Sequence, residues 1–205
     1  MATKSAQTQA TKRKLELTAR ALFAERGFAH VSAEEIVAKA EVTRGALYHH
    51  YAGKEGLFEA VVDTVMREIH RDLAVAAAGA SDPLEALRRG VGAFLELCAE
   101  PSRRQILLVD APAVLGWTRW REMDAKYGFG LLKRALGEAM RAELLRRDEV
   151  DVLAHLLMGA LTEAAMIVAG SPEPRATAKT AERALASMVE AWRPGGGPEK
   201  RDARP

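Results

Sequence analysis

Four side chains in one short stretch of the sequence have the chemistry needed to contact DNA bases. Thr43, Arg44, Tyr48 and His49 fall within VTRGALYHH, at the start and the middle of a predicted helix. An arginine in the first turn of a helix that enters the major groove is well placed to reach guanine O6 and N7. The pattern predicts that Arg44 reads a base and that Thr43, Tyr48 and His49 support it.

A tight turn between two short helices is needed to present those side chains. Ser32-Ala33-Glu34-Glu35 fits a capping box, in which the serine caps the helix and the last glutamate reaches back to it. Glu41-Val42 forms the turn, and Thr43 caps a helix that runs to about Tyr51. Ala52-Gly53 then ends this helix. The segment therefore predicts a helix-turn-helix.

Further residues of this segment are candidates for contact with the DNA backbone. Ser32, Tyr51 and Lys54 lie at predicted helix ends, where hydroxyls, amines and free N–H groups hold phosphates. Gly45 completes the predicted DNA-binding set. On the opposite side, one apolar cluster is predicted to join the two helices to the first helix of the chain: Leu22, Phe23, Val31, Ile36, Val37, Ala40, Val42 and Leu47.

Composition limits the class of protein. The 205 residues are 48% hydrophobic, which is enough to bury a core in one or two domains. Aromatic residues are only 5%, so a base-stacking surface for single strands is not expected. The net charge of +2 identifies no partner, although a small basic excess lies at Lys12-Arg13-Lys14.

Cysteine use and hydropathy favour a soluble protein of the cytoplasm with no membrane partner. The single cysteine, Cys98, has no partner for an intramolecular disulfide. The first fourteen residues have no apolar segment of the secretory kind. The longest apolar run, residues 152–169, is interrupted by His155, Thr162 and Glu163, which favours a buried helix over a membrane span.

A 3.6-residue period recurs through the whole chain and predicts an all-α fold of about nine helices. The first helix is expected over about Thr8 to Arg26. A long helix is expected from Trp117 to about Arg147, with Gly128 and Gly130 as weak or kinked points. The predicted division is a disordered arm (1–10), a three-helix DNA-binding domain (11–56), a helical ligand-binding and dimerisation domain (57–193) and a disordered tail (194–205).

The sequence resembles the TetR family of bacterial transcriptional regulators over about Thr11 to Val62. The family pattern is a cap residue, an apolar pair, an alanine, a turn, Val-Ser/Thr, Gly-x-Leu-Tyr-x-His-Phe and Lys-x-x-Leu. It corresponds here to Ser32, Ile36-Val37, Ala40, Val42-Thr43, Gly45–Tyr51 and Lys54–Leu57. Two residues depart from it. Glu41 replaces the usual turn glycine, which strains the turn if φ is positive there, and Tyr51 replaces phenylalanine, which would add a hydroxyl for a phosphate.

The resemblance implies a ligand-responsive repressor. Such a protein binds a double-stranded, pseudo-palindromic DNA operator as a homodimer and is released by a small-molecule effector, which is unknown here. The helix from Lys54 to about Ala78 is the expected lever, because it joins both predicted domains.

Aromatic and sulfur-containing side chains in the second domain are candidates for effector contact. Trp117, Trp120, Met123 and Tyr127 form a stripe that either lines a pocket or fills a core. Core packing is the commoner role of apolar residues at helical spacing. Glu163 either orients a polar ligand or pairs with a residue across a dimer interface. The candidate effector contacts are Phe94, Trp117, Trp120, Met123, Tyr127, Met158 and Glu163.

Small residues in the 150–169 helix allow close packing with a second copy, and the resemblance supports an intersubunit four-helix bundle. The predicted interface consists of His155, Gly159, Ala160, Ala164, Ile167, Leu185, Met188 and Trp192.

Three alternative functions remain open at this point: an activator on the same scaffold, a small helical enzyme, and a helical interaction protein without DNA binding. The sequence has no nucleophile–base constellation, metal-ligand set or phosphate loop, so neither an enzyme nor a cofactor is expected. His49 and His50 are adjacent and point about 100° apart on a helix, which makes them a poor metal pair.

Overall fold

The structure is a computed structural model, which describes residues 4–195. All regular structure in that range is helical, so the predicted all-α fold is confirmed. The ten α-helices of that range form nine continuous runs, because a π-helical stretch joins two of them. The helices are α1 (Lys4–Arg26), α2 (Ala33–Lys39), α3 (Arg44–Tyr51), α4 (Lys54–Ala77), α5 (Pro83–Ala99), α6 (Pro101–Arg104), α7 (Ala111–Leu115), α8 (Trp117–Arg141), α9 (Val150–Gly170) and α10 (Pro174–Glu190). A 3-10 turn (Phe28–His30) follows α1, and a π-helical stretch (Gln105–Asp110) joins α6 to α7 in one run.

Two helix boundaries differ from prediction. α1 begins at Lys4, so residues 4–10 of the predicted disordered arm are helical. Residues 1–3 and most of the predicted tail, residues 196–205, lie outside the described range. α8 ends at Arg141 instead of near Arg147. It ends there because the chain turns at Glu143, which has φ 58°, and the Leu144 amide donates to the Ala139 carbonyl at 3.0 Å.

The chain divides into two compact units whose boundaries differ from the predicted ones. Unit 1 is Met1–Ile69 with Glu100–Asp124, and unit 2 is His70–Ala99 with Ala125–Pro205. The first part of α4, the run from α6 to α7 and the start of α8 all belong with the N-terminal helices.

Aromatic packing organises the core of unit 1. The ring centroids of Phe23 and Phe58 lie 5.3 Å apart, and Phe28 lies 4.9 Å from Phe58, both in edge-on arrangements. The predicted cluster is confirmed for Leu22, Phe23, Val31, Ile36, Val37, Ala40 and Leu47, which are all buried. Val42 is only half-buried. This core fixes the positions of α2 and α3 against α1.

Unit 2 has a separate core in which α5, α9 and α10 pack together with the C-terminal part of α8. Leu95, Leu136 and Leu157 are fully buried at its centre. α8 continues without a break through Gly128 and Gly130. Gly128 has a packing role instead, because a Cβ there would lie 2.7 Å from the Met158 Cε.

One helix of unit 2, Val150–Gly170, is long and apolar enough to cross a membrane by length and composition alone. Half of its most apolar window is buried inside the protein, which is typical of a core helix. Thr162 is buried there and its hydroxyl donates to the Met158 carbonyl at 2.9 Å. The prediction of a buried core helix agrees with this packing.

Candidate nucleic-acid interface

Side-chain caps stabilise the N-termini of α2 and α3. The Ser32 hydroxyl oxygen accepts from the Glu35 amide at 3.1 Å, and the Thr43 hydroxyl oxygen accepts from the Ala46 amide at 3.2 Å. Both predicted caps are confirmed. The reciprocal half of the predicted capping box is absent, because the Glu35 carboxylate pairs with Arg26 at 2.6 Å instead. Both hydroxyl groups keep their proton for a further acceptor such as a phosphate oxygen.

The turn between α2 and α3 contains the strain that the sequence suggested. Glu41 has φ 55°, in the left-handed region that glycine adopts most readily. The Val42 amide closes the turn by donating to the Val37 carbonyl at 3.0 Å. The turn therefore forms with a glutamate at a local conformational cost of about 1 kcal/mol.

α3 has a buried side and an exposed side. Leu47 is fully buried, whereas Arg44, Tyr48 and His49 are exposed. The Arg44 guanidinium lies 3.2 Å from the Glu34 carboxylate and 5.5 Å from the centre of the Tyr48 ring. Gly45 is exposed on the same helix, and a Cβ there would meet only the Thr43 Oγ1, at 3.9 Å. The structure thus brings the predicted base-contacting residues together on one accessible surface.

The Tyr51 hydroxyl has a partner inside the protein. It donates to Glu16 Oε1 at 2.7 Å, and burial followed by the Glu16 hydrogen bond and charge raises the tyrosine pKa. A tyrosine has one O–H to donate, and here a carboxylate of α1 uses it. This geometry favours a role in joining α3 to α1 over the predicted phosphate contact.

Lys54 is also engaged within unit 1. Its ammonium donates to the Phe28 carbonyl at 3.1 Å and to the Val31 carbonyl at 2.9 Å, and it lies 3.8 Å from the centre of the Phe28 ring. The ammonium therefore stabilises the segment between α1 and α2. Of the eight predicted DNA contacts, Lys54 and Tyr51 have the clearest structural roles.

One residue that supports this interface was not predicted from the sequence. Asp110, at the end of the π-helical stretch, accepts from the Phe28 amide at 2.8 Å and from Gln105 Nε2 at 3.0 Å. The bond to Phe28 spans 82 positions of the chain. An aspartate just before a proline-containing helix gives no local signal for such a contact. Asp110 accepts from the backbone N–H of Phe28, and Lys54 donates to the backbone C=O of the same residue.

The described residues contain no group of three or more side chains suited to a metal ion. The rings of His49 and His50 have centroids 4.8 Å apart. Partial burial, followed by the neighbouring His49 and Lys12 charges, lowers the pKa of His50.

The predicted effector contacts are divided between the two units. Trp117, Trp120 and Met123 belong to unit 1; Phe94, Tyr127, Met158 and Glu163 belong to unit 2. Trp120 and Met123 are buried, and the Trp117 ring lies 5.0 Å from the Trp120 ring. The Trp120 indole N–H is buried with no acceptor among the residues that the structure describes.

In unit 2, the predicted effector contacts have different environments. Met158 is part of the core, whereas Phe94 is half-buried against it. Tyr127 is half-buried, with its ring centroid 6.3 Å from that of His70. Glu163 is exposed on α9. Glu163 therefore does not face the core of its own unit.

The predicted dimer residues separate into exposed and buried ones. His155, Gly159, Ile167 and Met188 are exposed, and Ala160 and Trp192 are half-buried. Ala164 and Leu185 are buried in the core of their own unit, because they lie on the inner sides of α9 and α10. The sequence missed Val152 and Leu156, which are 56% and 61% exposed on α9. Their helical spacing with Gly159 was the available signal.

Comparison with known proteins agrees with this architecture. Residues 17–61 match the family described as bacterial regulatory proteins, tetR family, and residues 84–192 match the tetracyclin repressor-like C-terminal domain. A TetR-family transcriptional regulator from Pectobacterium atrosepticum has a crystal structure similar to this fold. It is 32% identical in sequence with a TM-score of 0.84, over 93% of this chain and 97% of that chain.

Two relatives are similar in sequence. The transposon Tn10 TetC protein of Escherichia coli is 26% identical over 151 residues, which cover 74% of this chain and 76% of the relative. The HTH-type transcriptional repressor BepR of Brucella suis biovar 1 (strain 1330) is 32% identical over 104 residues, which cover 50% of this chain and 49% of the relative. With both halves of the fold matched, the chain belongs to the TetR family and is a DNA-binding transcriptional regulator, not an enzyme.

Proposed function

We propose that this protein is a ligand-responsive repressor of the cytoplasm that binds a pseudo-palindromic operator as a homodimer. The observation that supports this most directly is the two-sided character of α3. Leu47 anchors the helix in the core, and Arg44, Tyr48 and His49 project from the opposite side. A helix held in this way can enter a major groove without losing its own packing.

Arg44 is the proposed base reader. Its guanidinium is 65% exposed, and its ion pair with Glu34 is exposed too. Exposed pairs of this kind contribute only about 0–1 kcal/mol, so exchange of Glu34 for a guanine has a low cost. In the free protein the Tyr48 ring and Glu34 hold the side chain close to the helix, and a bidentate contact to guanine would contribute about 1–3 kcal/mol of discrimination.

The experiment that tests this function is selection of bound fragments from genomic DNA, followed by gel shift at fixed salt concentration. We expect enriched sites to contain two inverted half-sites, separated by about one helical turn or a multiple of it. Arg44→Ala should weaken binding to those sites by about 1–3 kcal/mol and relax preference at one position in each half-site. Neither fold nor dimer should change.

Arg147→Ala is the matched control, since Arg147 is an exposed arginine of unit 2. It should leave sequence preference unchanged. Enrichment of no sequence would contradict the proposed function, whereas unchanged preference in Arg44→Ala would contradict only the role of Arg44.

Exposed apolar residues support the proposed homodimer. Val152, Leu156 and Ile167 are each more than half exposed on α9, and Met188 is 47% exposed on α10. Several large apolar side chains on neighbouring helices form the kind of surface that is buried in protein association. A second copy that covered them would give the four-helix interface that the sequence suggested.

The proposed effector acts through its different affinities for two conformations, of which only one fits the operator. Trp120 is the best supported of its candidate contacts. A buried N–H group without an acceptor costs about 1–3 kcal/mol, and the Trp120 N–H is in this state. An apolar effector that carries a carbonyl or hydroxyl oxygen would recover that free energy.

A further inference from the structure

The exposed side of α9 has a glycine near its middle. Gly159 is exposed, and a Cβ added to it would meet no heavy atom within 4 Å. The large apolar residues Val152 and Ile167 lie seven and eight positions to either side of it. The exposed residues of α9 are Asp151, Val152, His155, Leu156, Gly159, Glu163, Ile167 and Gly170. A second helix could approach most closely at the position without a side chain.

Two polar side chains of this surface have opposite charge character and equal spacing from Gly159. His155 is four residues before it and Glu163 four residues after it. When a helix crosses a two-fold copy of itself in antiparallel orientation, residues at equal distances before and after the crossing point lie at the same height. Four residues rise about 6 Å along a helix. A crossing at Gly159 would therefore bring each His155 beside a glutamate of the other copy.

Hydrogen bonding within α9 prepares the imidazole for this contact. His155 Nδ1 lies 2.8 Å from the Asp151 carbonyl oxygen, which can only accept, so Nδ1 carries a proton. The remaining ring nitrogen, Nε2, is then the group for a partner, and in the imidazolium form it donates to a carboxylate. The Phe129 ring of α8 lies 4.3 Å from the imidazole ring. Lys133 of α8 pairs with the Asp151 carboxylate at 2.5 Å, so that carboxylate is already matched.

We propose that Gly159 marks the two-fold axis of the homodimer and that His155 of each protomer pairs with Glu163 of the partner subunit. The proposal rests on the dimer proposed above and adds its register and orientation. It also assigns Glu163 to recognition of a second copy instead of the effector. One such pair on each side of the axis would favour association with a second copy of this chain. Association with a related regulator would be weaker where its residues at these positions do not have opposite charges.

A charge-exchange experiment on the full chain tests this pairing. His155→Glu would place two carboxylates opposite each other in its homodimer, and Glu163→His would place two imidazoles opposite each other. We expect each variant alone to dimerise at least about tenfold more weakly than the native protein. An equimolar mixture of the two should form a heterodimer at close to native affinity, because each pair again contains one acid and one histidine.

Sedimentation equilibrium and native mass spectrometry would measure these affinities. Glu96→His, at an exposed position of α5, is the matched control and should dimerise as the native protein does. Circular dichroism would verify that each variant is folded. His155→Gln, Glu163→Gln and the double variant give a second measurement, in which the double variant should weaken the dimer no more than either single one.

Heterodimers no tighter than the single-variant homodimers, or additive effects in the glutamine series, would overturn the pairing. Neither result would affect the proposed function, because native operator binding is measured separately. Conversely, a native chain that dimerises but enriches no DNA sequence would contradict the repressor function and leave the pairing intact.

Discussion

Lys54 lies where three segments of unit 1 meet, with its ammonium bound to the carbonyls of Phe28 and Val31 and set against the Phe28 ring. A lysine at the start of a helix beside a DNA-binding motif suggests phosphate contact, as the sequence predicted. In the folded chain the nearest acceptors are backbone carbonyls. The Lys54 ammonium therefore stabilises the conformation of the segment that connects α1 to α2.

Lys54→Ala should consequently destabilise the protein by about 2–3 kcal/mol, because hydrogen bonds to a charged group are lost and two carbonyls lose their donor. Urea denaturation would measure this loss. For the folded variant, the slope of operator affinity against salt concentration should equal that of the native protein. Lys179→Ala, at an exposed position of α10, should change neither quantity. A shallower salt slope in Lys54→Ala would instead support the phosphate contact.

At Gly56, the space around the backbone limits which residue can occupy the position. A Cβ at this position would lie 1.7 Å from the Tyr51 carbonyl oxygen and 2.8 Å from its carbon. These are backbone atoms, so no side-chain rotation can relieve the contact. The close approach of α4 to the end of α3 therefore requires glycine.

Gly56→Ala should destabilise unit 1 by about 3 kcal/mol or more, because α3 or α4 must move. Thermal denaturation compared with Gly130→Ala would measure this. Gly130 is exposed in α8 with nothing near its Cβ position, so its replacement should be neutral or stabilise by up to about 1 kcal/mol. Equal stability of the two variants would show that α4 and the end of α3 are farther apart at Gly56 than the structure indicates.

Among the elements, α5 has the most complete N-terminal cap. Asp82 Oδ1 accepts from the amides of Leu84 and Glu85, and the Glu85 carboxylate accepts from the Ser81 amide at 2.6 Å. The Ser81 hydroxyl and amide, followed by Arg89, lower the pKa of Glu85 to about 2. Asp82 therefore acts as the N-terminal cap of α5.

Glu85→Gln should therefore reduce stability in a pH-dependent way. A carboxylate whose pKa is lower in the folded state stabilises that state above its unfolded pKa of about 4.3. This stabilisation disappears as the pH falls toward about 2. The difference in melting temperature between the native protein and the variant should thus be largest near pH 7 and shrink progressively below about pH 4.5. A difference that is constant from pH 7 to pH 3 would contradict the role of the charge.

At the largest scale, the proposed regulation depends on a second copy of the chain. Leu156 is 61% exposed in the single chain, so a polar residue there is compatible with the fold. In the proposed dimer it lies in the contact between the two α9 helices. Operator affinity should depend on this surface because two recognition helices must bind together.

Leu156→Glu should raise the dissociation constant of the dimer by about 100-fold or more, since a carboxylate must be buried against apolar side chains. Operator binding should weaken with it, and the melting temperature at low protein concentration should stay close to native. Size-exclusion chromatography with light scattering would measure the oligomeric state. Val75→Glu replaces a similarly exposed apolar residue of α4 and should have no effect. A fully dimeric Leu156→Glu protein would rule out this face of α9.

Features that depend on residues close together in the chain could be predicted from the amino-acid sequence. Local hydrogen bonding explains the caps at Ser32 and Thr43, which set the starts of α2 and α3. Backbone sterics explain why Glu41, with its positive φ, is an unusual residue for the turn. Helical periodicity identified Leu47 as buried and Arg44 as exposed, because a helix separates its sides every 3.6 residues. These local rules were sufficient to predict the all-α fold and the recognition helix.

Contacts between residues far apart in the chain could be identified only from the three-dimensional fold. Tyr51 reaches Glu16, 35 positions away, and Asp110 reaches the Phe28 amide, 82 positions away. Neither spacing is visible in a helical pattern, because both depend on how the chain folds back on itself. The assignment of Ala164 and Leu185 to the core was decided in the same way: helical spacing shows that a side is apolar, but only the neighbouring helix shows whether that side is already covered.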